Sequence, residues 1–300
     1  MTVIVFGSIN LDMIFSLPNI PCPGETVLGP STRIEPGGKG ANQAVAAARD
    51  GANVIMAGAV GRDALSNGAL CMLHAAGVNL DRVRSVKAST GCAAIMVDQD
   101  GNNAIAVGSG ANLFTLASQV EDLLLDQNAT VVLQMEVPAA QTAELITRAR
   151  AGGARVVLNL APAAALPEDS LRAVDVLVVN QTEGAWLSAY LGCEASAISL
   201  HDRLNGVAVA LTRGEKGVEV ASLDATWHQP AARVEVTDTT AAGDCFVGVL
   251  AHRLDLGEAL HAAVRRASVA ASLCCTRNGS QGSIPMRAET DLFQSVCSTG

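Results

Sequence analysis

Aromatic side chains are scarce in this sequence: two Trp, one Tyr and five Phe, 3% of its 300 residues. Lysine is scarcer than chance would give, with only Lys39, Lys87 and Lys216. No basic stripe and no interleaving of basic with aromatic residues occurs, and the net charge is −9 with a pI near 5.0. These absences argue against a nucleic-acid partner. No uninterrupted apolar run approaches the roughly 18 residues that a membrane-spanning helix needs. The eight cysteines include no C-x-x-C pair, and several fall in apolar periodic runs. Reduced thiols acting as small hydrophobes are the expectation. The five histidines lack ligand spacing, which argues against a zinc site. The opening "MTVIVFGSIN" lacks a basic n-region. Together these features predict a cytoplasmic protein that makes no membrane contact. Two nucleotide motifs are missing as well. There is no G-x-x-x-x-G-K-[ST], and no G-x-G-x-x-G after a strand, so neither a P-loop nor a dinucleotide dehydrogenase is indicated.

What is present is apolar and small. Nearly half the residues are hydrophobic (49%), enough for one large core. Val3–Phe6 has the pattern of a buried strand. A Pro- and Gly-punctuated stretch, 17–38, follows and is not helical. From Gly40 the sequence reads as helix, a stop at Gly51, a strand at 53–57 and a helix over 62–76 ending at Gly77. Residues 92–98 and 103–107 predict a hairpin with "QDGN" as its turn. Beyond residue 115 helix and strand alternate: helix 115–126, strand 130–135, helix 138–151, strand 154–160, strand 175–179, helix 181–191, strand 206–211. Short β runs (217–221, 226–229, 233–237) and two helices (241–254, 257–275) complete the chain. Such alternation predicts a mostly parallel sheet covered by helices on both faces. The two β-rich patches, about 13–37 and 89–108, break this rhythm. They are expected to meet as a small sheet serving as a lid on a single domain spanning 1–300.

Five short segments carry candidate chemistry. "DTTAAGDCF" (238–246) joins a β-like run to a helix, so free amides at Ala241, Ala242 and Gly243 would face an anion with almost no side chain in the way. Asp244 in the first turn suits a base, although a capping acid would occupy the same place. "PGGKGANQA" (36–44) offers Lys39 and Asn42 beside glycines that let a polar ligand approach the backbone. "GSINLD" (7–12) ends the first strand with Asn10 and Asp12, both able to hold hydroxyls. "QME" (134–136) puts Glu136 at the end of a buried strand, where a carboxylate needs a partner. "NQTE" (180–183) places Glu183 near a possible nucleotide-bound Mg2+, yet it also reads as a capping box with Asn180.

In order along the chain, "GSINLD", "PGETV", "PGGKGANQA", "QME", "NLAPA", "NQTE", "TRGEKG" and "DTTAAGDCF" resemble the ribokinase family of carbohydrate kinases over nearly the full length. The resemblance implies a three-layer α/β/α sandwich with a β lid, and ATP-dependent phosphorylation of a sugar's primary hydroxyl. It implies Asp244 as base and the amides of Ala241, Ala242 and Gly243 as the anion hole. Asn10, Asp12, Gly38, Lys39, Asn42 and Glu136 would bind the sugar. Asn180, Thr212, Arg213, Gly214, Glu215, Lys216, Gly217 and Ser268 would face ATP, and Glu183 would hold Mg2+ through water. Asp238, Thr240, Cys274, Arg277, Gly279 and Ser283 match positions that enclose an activating monovalent cation such as K+, largely through carbonyls. A homodimer formed through the lid is also implied. "AAGD" together with "GGKGANQA" and "QME" points within the family to D-ribose and its 5-hydroxyl. Another pentose or ketose, a nucleoside such as adenosine, and a non-catalytic sugar-binding paralogue are the alternatives. The sequence departs from the family at Ser268, where Asn is usual near the adenine, and between Gly192 and Val207, which is short and lacks a full amphipathic helix.

Overall fold

The computed structural model describes residues 1–297. In chain order, β1 (Thr2–Phe6) leads into β2 (Asn10–Ser16), β3 (Ser31–Gly37), α1 (Lys39–Asp50), β4 (Val54–Gly61), α2 (Leu65–Ala75) and β5 (Asn79–Val86). Next come β6 (Gly91–Val97), β7 (Asn103–Gly108), three short 3-10 turns, β8 (Ala129–Leu133), α3 (Ala139–Gly152), β9 (Arg155–Asn159) and α4 (Glu168–Arg172). The chain continues through β10 (Val176–Asn180), α5 (Gln181–Leu191), α6 (Ala197–Arg203), β11 (Ala208–Thr212), β12 (Val218–Ala221) and β13 (Thr226–Gln229). It closes with α7 (Ala242–Asp255), α8 (Leu260–Cys274) and α9 (Arg287–Cys297).

Nine strands form one sheet in the order β13-β12-β11-β10-β9-β8-β1-β4-β5, parallel except for the antiparallel β12 and β13. Its central strands are buried along most of their length and mainly apolar, because both faces are covered. Successive side chains divide between two cores, as the two-residue period of a strand requires. Val3 and Val5 of β1 pack with α1, α7 and α8, while Ile4 and Phe6 pack with α3 and α5 on the other face. The same division holds in β10, where Val176 and Val178 take the first face and Leu177 and Val179 the second. The architecture is therefore the expected three-layer α/β/α sandwich.

The two β-rich patches do form a separate sheet, ordered β3-β2-β6-β7. β2 pairs antiparallel with β3 and parallel with β6, and β6 and β7 form the expected hairpin. The first strand of this sheet begins at Asn10, ahead of the patch read from the sequence, so Asn10 and Asp12 both lie on it.

Two expectations fail. The helix over 115–126 is instead a series of 3-10 turns, Gly110–Phe114, Ala117–Gln119 and Asp122–Leu124. Arg148 donates to the carbonyls of Ala117 and Val120 at 2.8 and 2.6 Å, and the Gln119 amide reaches Gly58 and Arg82. Side chains from elsewhere satisfy this backbone, so no helical ladder is needed. Residues 233–237 are not a strand. They have no neighbouring strand to pair with, and Thr237 donates its amide to Cys275 at 2.8 Å beyond the end of α8. The stretch 192–207 carries a short helix, the seven residues of α6, capped by Ser196.

Candidate active site

The parallel strands bring their carboxyl ends to one edge of the sheet, where ligands of open α/β sheets collect. Ser8 follows β1, Gln134 and Glu136 follow β8, Asn159 ends β9, Asn180 ends β10 and Thr212 ends β11. The first turns of α1, α5 and α7 come to the same edge. Residues as distant in sequence as Asn10, Lys39, Glu136, Asn180 and Asp244 are thereby gathered around two adjoining clefts.

The larger cleft, about 250 Å3, is lined by Lys39, Asn180, Glu183, Thr212, Ala241, Gly243 and Asp244 among others. Ala241 caps α7 in a left-handed conformation (φ 59°), which turns the chain sharply from the Asp238 loop into the helix. The Ala242 amide leans back to the Thr239 carbonyl at 3.3 Å and the Cys245 amide bonds Ala241. A Cβ placed on Gly243 would meet nothing within 4 Å, so the helix start is open toward the cleft. That opening and the partial positive charge of the helix start suit an anion.

Asp244 is buried, and both of its oxygens are held. Asn42 donates its Nδ2 to Oδ2 at 2.9 Å, and Gln43 donates its Nε2 to Oδ1 at 3.0 Å. Gln281 in turn donates to the Asn42 oxygen at 3.1 Å. Lys39 stands among three carboxylates. Asp244 is the main cause of its raised pKa, burial opposes, and Glu136 and Glu183 add to the rise. The Lys39 amide donates to Glu136 at 3.0 Å, as does the Ser8 hydroxyl at 2.5 Å, which supplies the partners this strand-end carboxylate required.

The second cleft, about 210 Å3, opens on the small-sheet side between Asn10, Asn112, Glu136 and an apolar wall of Val107, Leu113, Met135 and Val137. Asn10 is oriented by Asn112, whose Nδ2 donates to it at 2.7 Å. Asp12 has an unsatisfied acceptor: its Oδ1 is buried and has no partner, like the Oε1 atoms of Gln134 and Gln281. Gly37 stands against it, and a Cβ there would come within 1.9 Å of the carboxylate. Burial, with repulsion from Glu136, pushes the Asp12 carboxyl up to about 7.

Asn180 and Glu183 form the capping box, the Glu183 amide reaching Asn180 at 2.9 Å and the Asn180 amide reaching Glu183 at 2.8 Å. The Glu183 carboxylate also borders the cleft, and burial raises its pKa. The two readings of "NQTE" are therefore compatible. Of the 212–217 segment, Thr212 lines the cleft, Arg213 pairs with Glu219 at 2.8 Å, and Gly214–Lys216 form a 3-10 turn. Gly217 packs against the Gln229 carbonyl, where a Cβ would approach to 2.1 Å. Ser268 is buried within α8 with its hydroxyl unpartnered.

The loop entering α7 and the loop leaving α8 are tied together. Asp238 accepts the Thr240 amide and hydroxyl (2.9 and 2.6 Å) and the Gly279 amide (3.0 Å). Burial works against the charged form of Asp238, but these donors outweigh it and leave the pKa lowered. The Cys274 thiol contacts the Ser283 hydroxyl at 3.0 Å, and Arg277 is engaged by Glu289. Of the six residues matched to a cation site, Asp238, Thr240 and Gly279 are joined directly and Cys274 reaches both Ser283 and the Thr240 carbonyl, whereas the Arg277 side chain turns to Glu289.

The model of the pfkB family of carbohydrate kinases matches residues 2–287. The chain belongs to this family. It is 35% identical to a ribokinase of Haemophilus influenzae, over 97% of this chain and 98% of that one. It is also 35% identical to a deoxyribokinase of Salmonella typhi, over 99% of each. A ribokinase of Arabidopsis thaliana, solved in complex with ribose and ATP, superimposes with a TM-score of 0.84 and 29% identity over 97% of each chain. Family membership makes the chain a carbohydrate kinase, and the two clefts are its candidate substrate sites. Gln43, Asn112 and Gln281 were not singled out from the sequence. Gln43 stands inside "PGGKGANQA", and nothing local to that segment shows that it faces a carboxylate 201 residues away.

Proposed function

We propose that this enzyme transfers the terminal phosphoryl group of ATP to the 5-hydroxyl of D-ribose, giving ribose 5-phosphate. The observation that carries the reading is Asp12. A buried carboxylate oxygen without a partner, packed against Gly37 where a Cβ would not fit, is matched to a ligand that brings hydroxyl donors. Asn10, Lys39, Asn42 and Glu136 stand around it with groups that accept from or donate to further hydroxyls.

In this reading Asp244 accepts the proton of the attacking hydroxyl while the open start of α7 receives the charge of the transferring phosphoryl group. Lys39, between Asp244 and Glu136, carries a positive charge at the junction of the clefts. Phosphoryl transfer asks mainly for alignment and charge stabilisation, and these groups supply both. Glu183 has one oxygen committed to the cap and the other available to water around Mg2+, so the residue fits that role. When bound, the metal would neutralise phosphate charge. Asp238, Thr240, Cys274, Arg277, Gly279 and Ser283 fit a monovalent cation bound through carbonyls, since the loops are already drawn together around a charged Asp238. A cation there would stiffen the entry to α7 and thus the anion hole.

The domain is a single unit in this reading, with the small sheet as its lid, and the enzyme works in the cytoplasm. Ile34 leaves apolar surface exposed on the face of that sheet away from Asp12, which supports pairing of two lids in a homodimer. The second reading is a 2-deoxy acceptor, favoured by the likeness to a deoxyribokinase. The apolar wall at Val107, Leu113, Met135 and Val137 contains no aromatic ring to hold a nucleobase, which disfavours a nucleoside.

The test is ADP release with Mg2+-ATP and D-ribose, 2-deoxyribose, fructose, adenosine or no acceptor, each with and without K+. Turnover greatest on D-ribose and raised by K+ is expected. Preference for 2-deoxyribose or adenosine would reassign the acceptor. Silence on all of them from folded protein would overturn the kinase reading.

A further inference from the structure

Among the fully buried side chains at the site that line neither cleft is Gln43, on α1. Its Nε2 donates to Asp244 Oδ1 at 3.0 Å and to Asn159 Oδ1 at 3.1 Å, which uses both of its hydrogens. Its Oε1 accepts from Gln134 Nε2 at 2.6 Å. Asn159 is oriented in turn by donating to the Val178 carbonyl at 3.3 Å. The surroundings admit one orientation of the Gln43 amide. Its oxygen faces a donor, Gln134, and its nitrogen faces two acceptors. β8 and β9, through side chains at or beside their ends, and β10, through the Val178 carbonyl, thereby settle which end of Gln43 meets the carboxylate.

We propose that Gln43 is the positioning residue of the catalytic base. The inference rests on the assignment of Asp244 as that base. A carboxylate held by Asn42 alone, through Oδ2, is free to swing about that single bond. A second donor on the other oxygen fixes the plane of the group, and with it the lone pair that must meet the acceptor's hydroxyl. Asn42 and Gln43 are adjacent on α1, so one helix sets both points. Close packing makes this possible. Gly248 of α7 lies against the Gln43 carbonyl, where a Cβ would approach to 2.3 Å, and the small side chains of Ala44, Ala46 and Ala47 let the helices meet. Proton transfer requires heavy atoms about 2.6–3.2 Å apart, and a displacement near 1 Å costs on the order of 10²-fold in rate.

The experiment uses Gln43→Met, which keeps the length and volume of the side chain and removes the donor, in the parent enzyme and in Asp244→Asn. With Mg2+-ATP and D-ribose, kcat is expected to fall about 10- to 100-fold in the parent. KM for both substrates should stay within about twofold, because no group that touches them has changed. In the Asp244→Asn background the same substitution should leave the residual rate within about twofold, since residues acting as a unit are non-additive. A packing role alone would cut both backgrounds by the same factor. That result, or a folded Gln43→Met within about threefold of the parent kcat, overturns the proposal. If Gln43→Met does not fold, Gln134→Leu removes the amide that orients Gln43 and is read in the same two backgrounds with the same criteria. Full turnover in Asp244→Asn alone would remove the base itself, an outcome distinct from failure of Gln43.

Discussion

At the scale of single residues, the site places charge where burial disfavours it and lets a ligand repay the cost. Asp12 shows this best. Its carboxyl is pushed from the ordinary carboxylate range up to about 7 by burial and by Glu136. A group whose folded-state pKa exceeds its unfolded value takes up protons on folding, so its contribution to stability declines as pH rises between those values and stays low above about 7. Asp12→Asn is therefore expected to raise Tm at pH 8 and to leave it little changed near pH 4. The sugar has the opposite preference, because the ionised form accepts two hydroxyls. KM for D-ribose should rise as pH falls below about 7, and Asp12→Asn should flatten that dependence while raising KM throughout. A KM independent of pH from 6 to 8 in the parent would remove Asp12 from sugar binding.

The candidate site was legible at this scale where a residue's own segment declares its chemistry. Asp244 stands at a helix start, Lys39 among glycines and Glu136 at a buried strand end, and the structure brings all three together. Gln43 and Gln281 escaped because amides in a helix or a loop have no local signature. Their meaning lies in what faces them across the fold.

Secondary-structure elements tell a similar story. Helix α5 was readable to the residue because Asn180 and Glu183 carry its start signal and Gly192, at φ 70°, ends it. The 115–126 stretch has helix-like apolar spacing, but Arg148 and Gln119 supply hydrogen bonds from and to distant elements, and tertiary contacts override the pattern. β5 was missed because it lies at the sheet edge, half-exposed, with charged residues interspersed. The pairing of α1 with α7 is the element-scale feature on which the chemistry depends. Gly248→Ala would thrust a methyl group into the Gln43 backbone and the Ala46 side chain. Overpacking of this kind costs about 1–3 kcal/mol. The variant is expected to melt several degrees lower and to lose kcat more than KM, because the displaced helix carries Asn42 and Gln43. Unchanged melting, followed by circular dichroism, would mean the two helices have more room than the geometry gives them.

Across the whole molecule, one edge of a parallel sheet collects the strand-end groups of the candidate site, and the small sheet lines the second cleft through Asn10 and Val107. That second sheet was foreseeable because two β-rich patches broke the helix–strand rhythm. Its strand order was not, since β2 and β6 pair across a long separation that no local pattern encodes. The exposed apolar side chain of Ile34, on the face of this sheet away from Asp12, argues for association through it. Light scattering should give a mass of twice the 30.6 kDa chain, and Ile34→Glu should return it to that of one chain. A single-chain mass in the parent would contradict the dimer.

The central claim is that Asp244 takes the proton of the sugar hydroxyl as the phosphoryl group crosses between the clefts. Steady-state turnover of Asp244→Asn with Mg2+-ATP and D-ribose tests it most directly. Asparagine keeps the size of the side chain and the contact with Asn42 or Gln43 on one atom, but cannot accept the proton. The account predicts a folded enzyme with KM for D-ribose within a few fold of the parent and kcat lowered by about 10²–10⁴-fold. Near-normal kcat in that variant would contradict it.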